Sequence, residues 1–516
     1  MKYGRIFTWA SATILTVFWS VAGYAHDLAI FHTNDVHGYA FEEKDEQGHL
    51  TRLGYDRLKA VVDAETSRHK LLLDAGDVLH GQAFATSRRG DLAALVLSLV
   101  GYDALAAGNH DFDYGQERLL SLADKYRLNF VAANVTKGKA REFILPRYVM
   151  RTFDDMKVGI FGLSTPETMT TTDPRNIVGL SFGDPVAAAR KMVKRLKNEG
   201  ADLIIAVSHM GSEPYCSPMS RTIAEKVPGI DLIVDGHSHS ETVTRVNNGK
   251  RSTLVVSAGS YFQNLGRVYV DRKPGGGFSL SAETLPASAF DGVNPDAALR
   301  EAMTALRTEL ETELSQVVLR LPFELDGSRQ NVRSASTNLG KILCNAFTEA
   351  TGADVALLNG GSVRDSIAAG EVTKGALLSV LPYGNYIFTI KITGKDLLDA
   401  LNHGLSETGA GAFPQFWGME VEARKVTGVA SDGSGKEGLT ADSVKIGGKP
   451  LKADGRYVLA INDFLYSGGD GYAMFKKYAY HEFATLEEMF RNFVTKKTTE
   501  ELQAISETQV LRVVEP

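Results

Sequence analysis

AAGNHDFDYG, Ala106–Gly115, carries an amide, an imidazole and two carboxylates between Gly108 and Gly115. Glycine at both ends lets the backbone turn sharply. The stretch follows the apolar piece YDALAA, so the polar cluster lies where a strand gives way to a loop. His110 and Asp113 are three residues apart, and one helical turn brings such a pair together. A carboxylate beside an imidazole fixes its tautomer and stabilises its protonated form. Asn109 offers a carbonyl oxygen, a ligand for a hard cation. Taken alone, the stretch reads equally well as a polar turn capped by Asn and Asp.

Four other stretches share its context. FHTNDVHG supplies Asp35 and His37 after the run Leu28–Phe31, and LLLDAGD supplies Asp77 after Leu71–Leu73. LIIAVSHMG supplies His209 after Leu203–Val207, and LIVDGHSHS supplies His237 and His239 after Leu232–Val234. Each apolar run delivers Asp, Asn or His at its C-terminal end, with Gly nearby. In α/β sheets ligands collect beyond the carboxyl ends of strands, so loops of this kind can converge. The combined donors are imidazoles, two carboxylates and one amide, without a thiolate. That set exceeds one tetrahedral site and suits two divalent cations sharing a carboxylate.

The chain has 516 residues, enough for two or more domains. With 44% apolar and 23% charged residues it has an ordinary globular composition, and its formal charge of -6 leaves no basic footprint for a nucleic-acid polymer. Lys2 and Arg5 precede an uncharged apolar run ending in Gly23-Tyr24-Ala25, the pattern of a secretion signal over residues 1–25 cleaved after Ala25. An uncleaved anchor is the alternative, since the run is just long enough to span a bilayer. Periplasmic or secreted localisation, with no membrane attachment after cleavage, is the expectation. Cys216 and Cys344 fall in different expected domains and read as two free or buried thiols.

Residues 27 to about 290 alternate strand-like runs with helical stretches, which implies α/β layering. Asp184-Pro185 marks a helix start, with Val186, Ala189, Val193 and Leu196 on one face and Gly200 as the stop. VNNGKR and RKPGGGF read as hairpin turns, so this part is expected to close with antiparallel strands. Asn294-Pro295 opens a helix whose stripe runs Leu299, Met303, Leu306, Leu310, Leu314 and Val317, the start of a connection between domains. Beyond Leu319 a helix over Leu339, Ile342, Leu343 and Phe347 leads to the strand VALLN, and glycine loops come after it in NGGSVR, PYGN and SGGDGY. GVASDGSGKEG, Gly428–Gly438, reads as a flexible surface loop.

With these motifs the chain resembles the bacterial secreted 5'-nucleotidase and UDP-sugar hydrolase family, within the calcineurin-like metallophosphoesterases. The resemblance implies an α/β fold: a four-layer αββα metallophosphoesterase domain over residues 26–290, a linker helix at 291–318, and an α+β nucleotide-binding domain over 319–516. It implies two divalent metal ions, with zinc, manganese and cobalt as candidates. Asp35, His37 and Asp77 match the first site. Asp77, Asn109, His209 and His237 match the second, with Asp77 bridging. His239 stands where several bacterial relatives have Gln as a first-site ligand, and His110 and Asp113 match the catalytic dyad.

In the C-terminal part, DGSRQNVR matches the family's arginine segment with Arg329 and Arg333, and NGGSVR matches with Asn359 and Arg364. LPYGN places Tyr383 and Asn385, and FLYSGGDGY places Phe464 and Asp470, at the family spacing; Gly411 matches a backbone contact. Tyr383 replaces the more usual Phe. The residues suit these roles: arginines offer fixed donors to phosphate and sugar, and two aromatics on glycine loops can sandwich a base. The implied activity is phosphate removal from 5'-nucleotides by an enzyme with an AMP-like substrate, acting as a monomer. Hydrolysis of UDP-sugars or pyrophosphates, of 2',3'-cyclic nucleotides, or non-catalytic nucleotide binding remain as alternatives.

Overall fold

The computed structural model describes residues 25–172, 176–213, 216, 218–249, 251–381, 383–429 and 435–514. The expected leader, apart from Ala25, lies outside the described residues. Strand Leu28–Thr33 is buried at every position and serves two cores at once. Leu28 and Ile30 pack between two sheets, beside Leu71, Leu73, Ala104 and Val131 of their own sheet and Val158, Ile160, Leu203, Ile205 and Val234 of the other. Ala29 and Phe31 point the opposite way, into a core with Leu58 and Val61 of helix Tyr55–Ala64 and Leu92, Val96 and Leu97 of helix Asp91–Val100. Burial on both faces explains why these strands read as unbroken apolar runs.

The first sheet runs Phe278–Pro286, Asn264–Arg272, Leu28–Thr33, His69–Asp74, Ala104–Ala106, Phe130–Val131. Its last four strands are parallel and its first two form an antiparallel hairpin. The second sheet runs Glu241–Asn247, Ser252–Ala258, Leu232–Asp235, Leu203–His209, Lys157–Ser164, Tyr148–Thr152. Its four central strands are parallel and its edges antiparallel. Antiparallel strand pairs flank both stretches expected to turn, VNNGKR and RKPGGGF, one on each sheet, with Lys250 outside the described residues. On the outer face of the second sheet, Ile204, Ala206, Ile233 and Val255 meet Ala189, Met192, Val193 and Leu196 of helix Pro185–Asn198. Asp184 caps that helix, its side chain accepting from the Val186 backbone N–H at 2.9 Å. The result is the expected αββα stack.

Helix Ala297–Leu314 starts at the cap Asp296 and packs Leu299, Met303 and Leu310 into the first core. It is one turn shorter than its stripe predicts. Val317 is exposed and begins strand Val317–Leu321, which pairs with Gly370–Thr373, because the β-branched pair Val317-Val318 favours the ladder over another turn. Near the helix end, Glu313 takes Arg88 at 3.0 Å on one side and Lys374 at 3.1 Å on the other.

The remaining residues build a five-stranded sheet, Pro414–Trp417, Val355–Asn359, Arg456–Asn462, Tyr386–Thr393, Tyr480–Thr485, and a four-stranded one. Helix Asn338–Thr351 buries Leu339, Ile342, Leu343 and Phe347 as expected. The loop expected over Gly428–Gly438 lies partly outside the described residues, which omit 430–434, and its flanks are strands. Met419–Val429 and Gly435–Ile446 pair residue against residue as far as Val429 and Gly435, since Val421, Ala423, Leu439 and Val444 anchor this ladder in a core. Cys216 and Cys344 are both free and buried. No helix among the described residues is long and apolar enough to cross a membrane.

Candidate active site

The carboxyl ends of the parallel strands of both sheets converge on one rim. Five residues singled out in the sequence, Asp35, His37, Asp77, His237 and His239, adopt left-handed backbone with φ of 50°, 48°, 61°, 81° and 56°. Non-glycine residues pay roughly 1 kcal/mol or more for such a conformation, and it persists where the surroundings over-determine it. Around Asp35, His37 and Asp77 the surroundings are backbone hydrogen bonds, and His237 N–H donates to the Asp35 carboxylate. Asp35 N–H donates to Gly76 O, His37 N–H to Asp77 O, and Tyr261 N–H to Asp35 O. Asp111, the other carboxylate of the AAGNHDFDYG stretch, is buried and accepts from the N–H groups of Asp77, Val78, Leu79 and Gly108 at 2.8–3.0 Å. It ties two of the loops together, a role the sequence reading missed because Asp113 already accounted for a carboxylate there.

Donor atoms then face one another. Those of Asp35, His37 and His239 lie within 4.8 Å of one another, as do those of Asp35, Asp77 and His209. His37 Nε2 and His239 Nε2 stand 3.1 Å apart. Burial lowers His37 well below the usual imidazole value against the opposing charge of Asp77, and lowers His239 as well. Two neutral rings with nitrogens so close, beside two buried carboxylates, are the arrangement a cation would resolve. His209 Nε2 lies 3.0 Å from Asp77 Oδ2 and 3.1 Å from Asn109 Oδ1, and its Nδ1 meets Ala75 O at 2.7 Å. His237 Nδ1 lies 3.0 Å from Asn109 Oδ1, and its Nε2 lies 2.8 Å from Glu167 Oε2. Imidazole, carboxylate and amide donors without thiolate fit divalent cations of hard to intermediate character.

His110 sits beside this cluster. Its backbone N–H donates to Asp77 Oδ1 at 2.9 Å, and its Nδ1 meets Asp113 Oδ2 at 2.8 Å. Three groups that the sequence reading did not name surround the pair. Tyr386 stacks on the His110 ring at a centroid distance of 4.1 Å, and its hydroxyl meets His80 Nδ1. Glu482 is buried, with Oε1 3.4 Å from His110 Nδ1. Burial opposes charge on His110, but Glu482, Asp113 and Asp77 together hold it well above the ordinary imidazole value. Burial pushes the Glu482 carboxyl well up, against the opposing charge of His110.

A cavity of about 160 Å³ opens onto these residues, lined by His37, His110 and His239 on one side and by Tyr383, Asn385 and Glu482 on the other. Asn385 donates to Asp463 Oδ1 at 2.7 Å. Arg329, Arg333, Arg364, Asn359, Phe464 and Asp470 are not on its lining and form an adjoining cluster. Arg364 lies over the Tyr383 ring at 5.5 Å, which joins the two. Asn359 donates to Asp470 Oδ2 at 2.8 Å. Burial and the like charges of Arg329 and Arg364 lower the Arg333 pKa, and its Nε is buried without a protein partner. Crowded guanidinium groups with an unmatched donor call for an anion. Tyr383 and Phe464 are both exposed.

Residues 28–241 match the model for calcineurin-like phosphoesterases, and residues 315–477 match that for the 5'-nucleotidase C-terminal domain. The chain is 33% identical over 507 residues to the trifunctional nucleotide phosphoesterase protein YfkN of Bacillus subtilis (strain 168), covering 88% of this chain and 33% of that protein. It therefore spans about a third of that relative's length. A 5'-nucleotidase of Vibrio vulnificus (strain CMCP6) is 30% identical over 504 residues, covering 89% of this chain and 88% of the relative. The crystal structure of a 5'-nucleotidase precursor from Thermus thermophilus superposes with a TM-score of 0.58 at 27% identity, covering 94% and 99% of the two chains. The fold implies divalent metal ions, and the convergent donors give them a place. With both halves matched in order along one chain, the protein belongs to the 5'-nucleotidase family of metallophosphoesterases, enzymes that hydrolyse 5'-nucleotides.

Proposed function

We propose that this chain removes the phosphate of 5'-nucleotides at a centre for two divalent ions. Asp35, His37, Asp77 and His239 would hold one ion, and Asp77, Asn109, His209 and His237 the other. The observation that carries this reading is the convergence of those donors beside His110, at a cavity whose far wall bears Tyr383 and Asn385. The ions, when bound, supply charge neutralisation at the phosphoryl oxygens and a more acidic water. His110, with Nδ1 tied to Asp113, keeps Nε2 as the donor to a phosphoryl oxygen and stabilises charge there in the transition state. Tyr386 and Glu482 lie against His110 and line the same cavity. Arg329, Arg333 and Arg364 bind the anionic and sugar groups, with Asn359, Asn385 and Asp470 as polar partners. Tyr383 and Phe464 offer faces to the base.

The donor set suits zinc, manganese or cobalt. The domain division that goes with this reading is a leader to residue 25, a metal-binding domain over 26–290, a linker at 291–318 and a nucleotide-binding domain over 319–516. Periplasmic or secreted localisation is supported by the charge and small-residue pattern before His26. A monomer suffices, since one chain supplies both walls of the cavity. The test is Asp77→Asn, which removes the charge shared between the two sites. Bound metal per chain and AMP hydrolysis should fall together. Full metal content with near-normal turnover would overturn the dimetal assignment.

A further inference from the structure

Strand Lys157–Ser164 of the second sheet also ends at the rim, where the chain continues into Thr165-Pro166-Glu167. The turn is closely built. Thr165 and Thr168 are fully buried, Thr168 Oγ1 donates to Thr165 O at 2.7 Å, and Glu167 N–H donates to Thr165 Oγ1 at 3.2 Å. It presents the Glu167 carboxylate to His237, with Oε2 2.8 Å from Nε2. The opposite nitrogen, Nδ1, is the one that faces Asn109 Oδ1 at 3.0 Å. His209 shows the same division of labour with its nitrogens exchanged. Its Nδ1 is held by Ala75 O at 2.7 Å, and its Nε2 faces Asp77 and Asn109.

We propose that Glu167 is a positioning residue for the second cation, accepting the Nε2 proton of His237 so that Nδ1 is presented as the ligand atom. A neutral imidazole carries one proton, on either nitrogen, and only the tautomer with a bare Nδ1 can bind through it. A carboxylate behind a ligating imidazole fixes that choice, sets the ring plane and raises ligand basicity. Glu167 is suited to do this because it comes from a different strand and a rigid turn. The ring of His237, on a loop with left-handed φ, is thereby held from both sides. The role rests on the dimetal reading above.

The test is a chelator-competition titration of the purified full chain with Zn²⁺, comparing wild type, Glu167→Ala and Glu167→Gln, with thermal melts to check folding. Loss of a partner of this kind costs roughly 10- to 100-fold in metal affinity. The expected result is that loss for one of two bound ions in Glu167→Ala, with the other unchanged. In Glu167→Gln, whose amide oxygen can still accept from Nε2–H, the loss should be smaller. A folded Glu167→Ala that binds two ions with wild-type affinity overturns the role alone. Equal weakening of both ions, or no advantage of Gln over Ala, overturns it in favour of a general structural effect. Three ions in wild type and two in the variant would make Glu167 a direct ligand, with His237 and Cys216, and also overturn it. Wild type binding fewer than two ions removes the dimetal reading itself.

Discussion

Gly108→Ala is a single-carbon test of how closely the AAGNHDFDYG backbone is packed on Asp77. A Cβ at Gly108 would lie 2.1 Å from Asp77 Oδ1, 2.6 Å from Asp77 N and 2.8 Å from Asp77 Cγ. Ordinary contact begins at 3.4 Å, so the carboxylate or the loop must retreat by more than an ångström. Neither can do so freely. Asp77 N–H and Gly108 N–H are both held by the Asp111 carboxylate. Gly108 does not occupy left-handed backbone, so the effect is one of space and not of conformation. Overpacking a rigid site costs about 1–3 kcal/mol, which in a large domain lowers Tm by roughly 2–12 °C. Misplacing a reacting group by about 1 Å costs on the order of 100-fold in rate. The assay is kcat/KM for AMP together with bound metal per chain and a thermal melt. Gly292→Ala, where a Cβ meets nothing within 4 Å, serves as the control and should match wild type. A Gly108→Ala enzyme with full metal content and kcat/KM within threefold of wild type would refute the packing argument.

Base recognition and acid stability offer two further tests. Stacking a base on an aromatic face is worth about 1–3 kcal/mol, so Tyr383→Ala and Phe464→Ala should each lower kcat/KM for AMP by roughly 5- to 150-fold. Turnover of bis(p-nitrophenyl) phosphate, which carries no base, should hold, and equal losses on both substrates would count against base recognition. His32 is buried with its pKa lowered to about 3 by burial. Below about pH 6.5 the unfolded chain takes up a proton that the native ring refuses, so this residue's contribution to stability falls as pH drops from about 6.5 toward 3, by about 1.4 kcal/mol per pH unit. Urea melts across that range should show a shallower acid loss in His32→Phe than in wild type. Identical slopes would mean that His32 titrates normally in the folded protein.

What was readable in the sequence was what short-range pattern encodes. Runs such as Leu203–Val207 are continuous because both faces are buried, and they end in His209 because the rim is where polar groups meet. The arginine and aromatic positions were named through spacing shared with a family, and Arg364 does lie over the Tyr383 ring. Glu167 escaped although its strand obeys the same rule, since Glu beside Pro166 reads as a turn and not as a partner to His237. Tyr386 and Glu482 could not be seen at all. Nothing local to YIFTI or YHEFAT refers to His110, and only the order of the five-stranded sheet brings both strands against the dyad. The helix end at Leu314 shows the opposite limit, where pairing with the distant Gly370–Thr373 overrode a helical stripe, and around Gly428–Gly438 a glycine-rich composition hid a hairpin ladder.

Strand Tyr480–Thr485 is the last of its sheet in chain order, yet it forms the wall behind His110. Every loop from Asp35 to His239 is synthesised before any of that wall exists. Tyr386 likewise comes from a strand far downstream of His110, on whose ring it stacks. The residues that close on His110 are thus separated from it by more than half the chain, and the contact is made only when the five-stranded sheet has its last strand.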